Sequence, residues 1–471
     1  MRLLQITIAA ILLLAALPEA GAWESLRNGP EGRASLAYDG PEELREWHYF
    51  YKTGRRYKPG LAVWASPALA VVAGRPMAFI GGYDQVMHAL DLADKKAVWR
   101  KVTNGEIGSA PAVGKIDGLD VVFWGSNDRT VYAHVAFSGR PLWTKELVEA
   151  TTTLGDVKVS SPLIHGGRLY ICCFAYDRSI ARNDQKGWLF CLDIRDGREL
   201  WRLGVSSGFL SSPVGFEVGN RYFIAVAARR GILQCFDITA GRPRRAWSFQ
   251  MPHEVFGSPV VENGKDNPLL FLGSKYGNLI AVDARTGKEK WQRMAGNWID
   301  NTACIGSVDG RNIVFVGSHD YCVYAFEART GETLWKRALG GEVYSAPCFF
   351  ESSDTPYVAV ASLDNHVHLI NARNGKIVTS FFTGTPIWDK LPKGEVLWGS
   401  PAVLEAGKNS IIVHGSFNDF VYAFPAFKDC TLTARARSSS SLWWSLLAVF
   451  LIFTGVILPI VISLPARDNG N

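Results

Sequence analysis

One pattern recurs along most of the chain: an acidic residue, a short turn, and a tryptophan eight positions after the acid. The spacing is the same in four copies, Asp91/Trp99, Asp193/Trp201, Asp283/Trp291 and Glu327/Trp335. Val135 takes the place of the acid before Trp143, and the copy that ends at Trp247 is two residues longer. A further copy, after Asn371, has Thr379 where the tryptophan would stand. Recurrence of one short motif is typical of a repeat architecture.

A second signal, S-x-P or S-P, follows most of the tryptophans by about twelve residues. Its prolines are Pro67, Pro111, Pro162, Pro213, Pro259, Pro347 and Pro401, and Ala303 stands where an eighth would fall. The two signals together define eight units with a period of about 44–54 residues. Units of this length, built from short apolar runs separated by turns, predict a β-propeller.

Each unit divides into four strands. In unit seven the expected inner strand is EVYSAPCFF, followed by YVAVAS, HVHLINA and the outer strand KIVTSFF. A turn containing T-G or N-G joins the third strand to the fourth. Each tryptophan then lies at the start of an outer strand, where its ring is expected to cap the packing between neighbouring blades.

The eighth unit has only three strands, near residues 396–404, 411–414 and 420–424. Asp39 and Trp47, close to the N-terminus, repeat the acid–tryptophan spacing. We therefore expect residues around 45–51 to supply the missing outer strand, which closes the ring and removes its free edge. The predicted fold class is all-β: an eight-bladed propeller of four-stranded antiparallel sheets closed by an N-terminal strand, plus one C-terminal transmembrane helix.

Both ends of the chain carry apolar segments. Residues 1–22 have a charged start, an apolar run and AGA before Trp23, which is the pattern of a secretory signal peptide. Residues 442–464 are 23 residues without a charge, long enough for a helix of about 34 Å that crosses a bilayer, with a buried helix as the alternative. The expected order is signal peptide 1–22, propeller 23–427, linker 428–441, transmembrane helix 442–464 and cytoplasmic tail 465–471. The propeller of this single-pass protein then lies on the periplasmic or extracellular side.

The charge balance is close to even, with 50 Lys and Arg against 44 Asp and Glu. A net charge of +6 on 471 residues gives no argument for nucleic-acid binding.

The stretch AVDARTGKEKW, residues 281–291, resembles the tryptophan-docking motif of the quinoprotein-like (PQQ-type) β-propeller repeat. The resemblance covers nearly all of residues 45–427 and implies the propeller fold. That family includes quinone-dependent alcohol dehydrogenases and the non-catalytic propeller lipoprotein of the outer-membrane barrel-assembly machinery. The resemblance therefore implies either a scaffold or an enzyme that uses PQQ and calcium.

Quinone-dependent alcohol dehydrogenases place a vicinal cystine over the cofactor, and the resemblance makes Cys172 and Cys173 the candidate pair. Consecutive strand residues point to opposite faces, so two buried thiols are the alternative. The glutamate, asparagine and aspartate of those enzymes cannot be mapped onto this chain, and no catalytic residue is assigned. Cys304 and Cys348 hold matching positions in neighbouring inner strands, which leaves a disulfide between them open.

Alignment of the units on the proline predicts a set of side chains around the central funnel. Its members are the carboxylates Glu106, Glu254, Asp300, Glu342 and Glu395, the lysine Lys158, and an aromatic collar of Trp64, Phe256, Tyr344 and Trp398. Such a mouth suits a metal, a cationic ligand or a basic peptide, and the alternative is a solvated rim without a ligand.

Two further features of the sequence are candidate sites. His366 and His368 share one strand face, but His368 aligns with tyrosines in other units, so packing is expected there and no metal site is predicted. The insertions at residues 175–187 and 383–398 are either recognition loops or tolerated extensions.

These features favour a membrane-anchored, exported β-propeller that acts as a protein-binding or scaffolding module of the cell envelope. Its partner would be an envelope protein or a small ligand at the funnel, and no cofactor is assigned. The alternative is a PQQ-dependent dehydrogenase that oxidises an alcohol or sugar with calcium and passes electrons to a membrane or cytochrome acceptor.

Overall fold

The computed structural model describes residues 35–37, 43–45, 49–52, 63, 65–149, 154–177, 186–206, 211–262, 267–383, 399–405, 410–415, 420–426 and 431–433. The predicted signal peptide and transmembrane segment lie outside these residues. Within the described ranges, no helix is both long and apolar enough to cross a membrane.

Three short strands come first in the chain: β1 (Ser35–Ala37), β2 (Glu43–Arg45) and β3 (Tyr49–Lys52). All three find partners near the other end of the chain.

Blades one to four follow in chain order, each an antiparallel sheet with its first strand innermost. Their strands are β4 (Ala68–Val72), β5 (Arg75–Gly81), β6 (Val86–Asp91), β7 (Lys96–Val102); β8 (Ala112–Ile116), β9 (Leu119–Gly125), β10 (Thr130–Val135), β11 (Pro141–Glu146); β12 (Leu154–Val159), β13 (Leu163–His165), β14 (Arg168–Asp177), β15 (Lys186–Asp193), β16 (Glu199–Ser206); β17 (Val214–Val218), β18 (Arg221–Ala228), β19 (Ile232–Asp237) and β20 (Arg244–Gln250).

Blades five to seven repeat the same topology. Their strands are β21 (Val260–Val261), β22 (Leu269–Gly273), β23 (Asn278–Asp283), β24 (Glu289–Met294); β25 (Cys304–Val308), β26 (Arg311–Gly317), β27 (Cys322–Glu327), β28 (Thr333–Ala338); β29 (Cys348–Ser352), β30 (Thr355–Ser362), β31 (His366–Asn371) and β32 (Ile377–Phe382). Middle strands such as β6 and β23 are buried along their whole length, because both faces of every sheet are covered by neighbouring blades.

Blade eight combines the two ends of the chain. It contains β33 (Ala402–Glu405), β34 (Ile411–Gly415) and β35 (Phe420–Pro425), and β3 pairs antiparallel with β35 as the outer strand. The prediction of an eight-bladed propeller closed by an N-terminal strand is therefore confirmed.

Two further pairings at this closure were not predicted. β1 adds to the inner edge of blade eight, parallel to β33, with Ser35 opposite Val403. β2 pairs with β36 (Thr431–Thr433), which lies inside the predicted linker. The N-terminal segment thus meets blade eight at both its inner and outer edges.

The tryptophans of the repeat join consecutive blades, as predicted. In five of the described units the indole N–H donates to a backbone carbonyl of the next blade at 2.8–2.9 Å: Trp99 to Ala136, Trp143 to Ile194, Trp247 to Ala284, Trp291 to Ala328 and Trp335 to Ala372. The ring also packs on the turn glycine of that blade, where an added Cβ would overlap the indole.

The S-x-P signal marks a belt of hydroxyl hydrogen bonds between inner strands. A backbone N–H of one blade donates to a Ser or Thr oxygen of the next at 2.9–3.1 Å: Ala110 to Ser161, Ser161 to Ser212, Ser212 to Ser258, Ser258 to Thr302, Ala346 to Ser400 and Ser400 to Ser66. The last pair closes the ring between blades eight and one.

Strand limits differ from the sequence expectation in two places. The inner strand of blade seven begins at Cys348, after the S-A-P segment. Before Pro347, the Ala346 N–H donates to Ser400 of the neighbouring blade, and Ser345 contacts Ala361 of β30 through its hydroxyl and not through its backbone. In blade three, β12 and β13 divide the inner strand, and both pair with the ten-residue β14. The insertion predicted at 175–187 is therefore partly strand.

Candidate functional site

Two sets of loops meet on one face of the propeller, which we call the upper face. One set connects an outer strand to the inner strand of the next blade, and the other joins the second and third strands of a blade. Backbone hydrogen bonds tie the sets together: Asn127 donates to Glu106, Lys275 to Glu254, His319 to Trp298, and Leu363 to Glu342. The predicted carboxylate residues Glu106, Glu254 and Glu342 therefore lie on this face.

Between blades four and seven the upper face carries alternating aromatic and cationic side chains. We call this set the aromatic–cationic arc; it consists of Arg229, Phe256, Lys275, Trp298, His319 and Tyr344. The guanidinium carbon of Arg229 lies 5.3 Å from the centre of the Phe256 ring. The Lys275 ammonium lies 5.4 Å from the Phe256 ring and 4.6 Å from the Trp298 ring.

The second half of the arc is held by His319. Its ring centre lies 5.4 Å from that of Trp298 and 3.9 Å from that of Tyr344. Nε2 of His319 is 2.7 Å from a carboxylate oxygen of Asp300, which fixes the orientation of the imidazole. The arc is thus a continuous series of packed rings and cations.

Large aromatic side chains in the arc and beside it remain open to solvent. Trp298 is 40% exposed, Tyr321 49% and Tyr276 64%. Tyr276 stacks on His253 with ring centres 4.0 Å apart, so even this exposed ring has a defined place. Surface aromatics held by neighbouring groups are a usual composition for a protein-binding surface.

The predicted funnel carboxylates in the described residues are paired locally. Lys158 Nζ lies 3.8 Å from Glu106, as its aligned position suggested, and Lys275 Nζ lies 3.8 Å from Glu254. Asp300 contacts His319. Glu395, Trp64 and Trp398 lie outside the described residues.

Glu342 affects the protonation of the Tyr344 hydroxyl. Burial, together with the nearby Glu342 and Asp300 carboxylates, raises the pKa of the Tyr344 hydroxyl well above its ordinary value. The phenol therefore stays protonated at neutral pH and remains a hydrogen-bond donor on the arc. Among the residues that the structure describes, no three His, Cys, Asp or Glu side chains come together as a metal site.

Cys172 and Cys173 lie on opposite faces of β14. Cys172 is buried between blades three and four, and Cys173 between blades two and three. Both are free thiols, and burial raises their pKa, that of Cys173 to about 12. The side-by-side cystine of a quinone site does not fit this arrangement. Cys304 and Cys348 are also buried thiols and form no disulfide with each other.

The two histidines of blade seven are engaged in hydrogen bonds. Nε2 of His368 lies 2.8 Å from Asp364, and its Nδ1 lies 2.8 Å from the Ser380 hydroxyl. Nδ1 of His366 lies 2.8 Å from the backbone carbonyl of Asp364. These contacts agree with the packing role expected for this pair.

Several residues of the upper face were not anticipated from the sequence. Lys275, Tyr276, His319 and Tyr321 lie in turns between second and third strands, where the residue type changes from unit to unit. A signal was nevertheless present, because G-S precedes both K-Y and H-D-Y at equivalent positions of two neighbouring units.

Known proteins match this chain in sequence and, separately, in fold. The family model described as outer membrane protein assembly factor BamB matches residues 47–173, 185–297 and 277–445. BamB of Nitrosomonas eutropha is 29% identical over 151 residues, which are 32% of this chain and 30% of that protein. The match thus spans less than a third of that relative's length.

Solved structures show the same fold. BamB from Moraxella catarrhalis superposes with a TM-score of 0.53 at 18% identity, over 80% of this chain and 99% of that one. Quinohemoprotein alcohol dehydrogenase from Comamonas testosteroni gives a TM-score of 0.61 at 11% identity, over 88% of this chain and 82% of that one. At these identities the likeness concerns the fold alone. The family model, in contrast, matches well over half of the sequence, and the chain therefore belongs to the family described as outer membrane protein assembly factor BamB.

Proposed function

We propose that the chain is a protein-binding scaffold of the cell envelope that serves outer-membrane protein assembly. Membership of the BamB family supports this function, since its relatives are named for that process. In this proposal the protein is exported by residues 1–22 and tethered to a membrane by residues 442–464, as their sequences predict.

The aromatic–cationic arc is the docking surface in this proposal. The observation that carries it is the cluster of exposed aromatic rings, Trp298, Tyr276 and Tyr321, on one side of the upper face. Tryptophan, tyrosine and arginine contribute most strongly to protein interfaces. The rings are also held by neighbouring cations and histidines, so little side-chain entropy is lost on binding.

A photo-crosslinking amino acid at position 276 in living cells tests the proposal. Crosslinks to proteins that act in outer-membrane protein assembly are expected, and Trp298→Ala should weaken them about tenfold or more, as for an interface residue of large contribution. Phe137, which is 41% exposed in the turn between the third and fourth strands of blade two, provides the control position on the opposite face.

Equal labelling from positions 276 and 137 would contradict docking on the arc. Loss of the crosslink in Trp298→Ala has to be accompanied by an unchanged melting temperature, since a misfolded ring would also lose its partner.

A further inference from the structure

The face opposite the arc, which we call the lower face, carries the turns between third and fourth strands. In three blades an arginine of this turn forms an ion pair with a carboxylate of the preceding blade. The pairs are Arg195 with Asp117 at 3.8 Å, Arg329 with Glu262 at 2.9 Å and Arg373 with Asp309 at 3.0 Å. The charge of these arginines is therefore compensated within the ring.

Blade four does not supply such a carboxylate. The turn between its first two strands is Gly219–Asn220, where blades two and six have Asp117 and Asp309. Arg285, in the turn of blade five, has the same position in its unit as Arg329 in blade six. Arg285 and Lys288 of this turn are exposed, and within the described residues neither forms an ion pair. Their charges are uncompensated because the carboxylate of the preceding blade is missing.

The turn of blade four adds further cations. Its longer sequence carries three exposed arginines: Arg242, Arg244 and Arg245. None of them forms an ion pair in the part of the chain that the structure describes. The neighbouring carboxylate of Asp237 is already engaged, since one oxygen accepts from the Arg221 guanidinium at 2.9 Å and the other from the Thr239 N–H at 3.0 Å. Asp237 therefore leaves the three arginines uncompensated.

The turns of blades three, four and five lie side by side. Nη1 of Arg168, at the start of β14, is 3.5 Å from the carbonyl oxygen of Gly241 in the turn of blade four. On the other side, the Trp247 indole donates to Ala284, directly before the turn of blade five. We call the cations of these turns the basic surface; they are Arg168, Arg242, Arg244, Arg245, Arg285 and Lys288. The exposed carboxylates of blades four and five nearby are Glu217 and Glu289, so positive charge is in excess.

The chain leaves the propeller on the same face. β35 runs from the upper to the lower face and ends at Pro425. β36 then pairs with β2, which ends four residues before Tyr49, at the lower end of β3. Residues 434–441 span at most about 30 Å when fully extended. A membrane segment at 442–464, as proposed above, therefore keeps the lower side of blade eight near the bilayer.

We propose that the basic surface binds the anionic headgroups of the bilayer that holds this tether. The inference rests on the tether of the proposed function and is independent of docking at the arc. Blades four and eight lie across the ring from each other, so a tether at blade eight alone lets the ring tilt. A second contact at blade four holds the lower face against the bilayer and turns the arc away from it, towards a partner.

The chemistry of the basic surface suits lipid phosphates. Guanidinium groups donate two parallel hydrogen bonds to a phosphate, and arginine gives up its hydration more easily than lysine. Each arginine near an anionic bilayer adds to the attraction, which falls off within a Debye length and weakens as salt is added. The contact is therefore expected to depend on lipid charge and on ionic strength.

Energy transfer in vesicles tests the contact with the full-length chain. A fluorophore is attached to Ala240→Cys, an exposed position in the turn of blade four, in a Cys430→Ser background. The native cysteines of the described residues are buried and should not be labelled. Transfer to acceptor-labelled headgroups should be higher in an equal mixture of phosphatidylglycerol and phosphatidylcholine than in phosphatidylcholine alone, and added salt should remove the difference.

A triple variant identifies the residues responsible. Arg242→Gln/Arg244→Gln/Arg245→Gln should lower the docking equilibrium constant about a hundredfold, so that transfer in the mixed vesicles falls to the value in phosphatidylcholine. The control is Arg100→Gln/Lys101→Gln/Arg230→Gln, which removes the same charge from the outer strand of blade one and the upper face of blade four. It should leave transfer unchanged, and both variants should keep the wild-type melting temperature.

Equal transfer in the two lipid compositions would overturn the proposal, as would the same loss in both triple variants, since that would reflect net charge alone. Extraction with alkaline carbonate tests the tether separately. If the chain is extracted, the tether is wrong, and flotation of the chain with the same two kinds of vesicle then tests the basic surface directly. Docking at the arc is judged by the crosslink at position 276, which does not require the basic surface.

Discussion

Trp335 and Gly375 form the contact that joins blade six to blade seven. The indole N–H of Trp335 donates to the carbonyl of Ala372 at 2.9 Å, and the same ring lies against the turn glycine three residues later. A Cβ on Gly375 would lie 2.8 Å from the indole. The glycine of the T-G or N-G turn is therefore required by the neighbouring blade as well as by its own φ of +69°.

Gly375→Ala is expected to destabilise the propeller more than Gly310→Ala. Gly310 also has a positive φ, +77°, but nothing lies within 4 Å of a Cβ there. Both variants carry the left-handed backbone cost of about 1–2 kcal/mol, and Gly375→Ala adds an overpacking cost of about 1–3 kcal/mol. Urea unfolding of both variants measures the difference, and equal losses would show that the ring contact contributes nothing.

Trp201 departs from the docking pattern and should respond differently to mutation. Within the described residues its indole nitrogen has no hydrogen-bond partner. The carbonyl of Ile238, which aligns with the acceptors of the other units, accepts instead from Gly241 in its own turn. The two extra residues of unit four change that turn.

We therefore expect Trp335→Phe to cost about 1 kcal/mol more than Trp201→Phe, since only the first loses a hydrogen bond. Both tryptophans are half-buried, so the loss of ring area is comparable. Chemical denaturation of the two variants checks this, and a larger loss for Trp201→Phe would contradict the assignment.

Glu262 links blades five and six through a buried carboxylate that is 1% exposed. It accepts from the Asn312 amide at 2.7 Å, and Arg329 lies 2.9 Å away. Arg329→Ala should cost about 2 kcal/mol or more, because it leaves a buried charge without its cation. Glu262→Gln should cost less, since the amide oxygen can still accept from Asn312.

The double variant of these two residues provides the control. It should recover most of the stability that Arg329→Ala loses, since the unpaired charge is then absent. Additive losses in the double variant would mean that the two side chains do not interact.

His414 makes stability depend on pH. Burial lowers the pKa of its imidazole to about 4. Above the ordinary value of about 6.5 the ring is neutral in both folded and unfolded chains, and the stability is fully present. As the pH falls below that value only the unfolded chain takes up the proton, so stability is lost progressively down to about pH 4.

His414→Leu should therefore flatten the stability profile between pH 6.5 and 4. The effect at pH 4 is on the order of 3 kcal/mol. Burial also lowers the pKa of His134, so this residue too contributes a loss of stability as the pH falls below about 6.5, and it remains in the variant, which leaves part of the slope. An unchanged slope in the variant, measured by unfolding at several pH values, would show that His414 is not responsible.

The sequence predicted the ring and its closure because both depend on repeated positions. The acid–tryptophan spacing locates the interblade contact, and the S-x-P signal locates the hydroxyl belt. The Asp39/Trp47 spacing correctly indicated that β3 completes blade eight. The inner-edge pairing of β1 was missed because the three residues Ser35–Ala37 contain no repeat signal.

The candidate surface was only half predicted, for a related reason. Glu106 and Lys158 aligned at the funnel and do pair. His319 and Lys275 instead lie in turns whose sequences differ between units, so the alignment of the units did not identify them as candidate site residues. The His319–Asp300 contact lies within blade six, and the Lys275–Trp298 contact joins a turn of blade five to the loop that leads into blade six, so both depend on how these loops meet in the folded ring.

The pairing of β3 with β35 also sets the order of events during synthesis. The strand Tyr49–Lys52 emerges first, and its partner Phe420–Pro425 emerges after seven complete blades have been made. Until then the leading strand has no sheet to join, and blade eight cannot form. Under the export proposed above, a chain translocated from its N-terminus would have to keep that leading strand from pairing elsewhere until nearly all of the ring had crossed, so the last step of folding would follow transport.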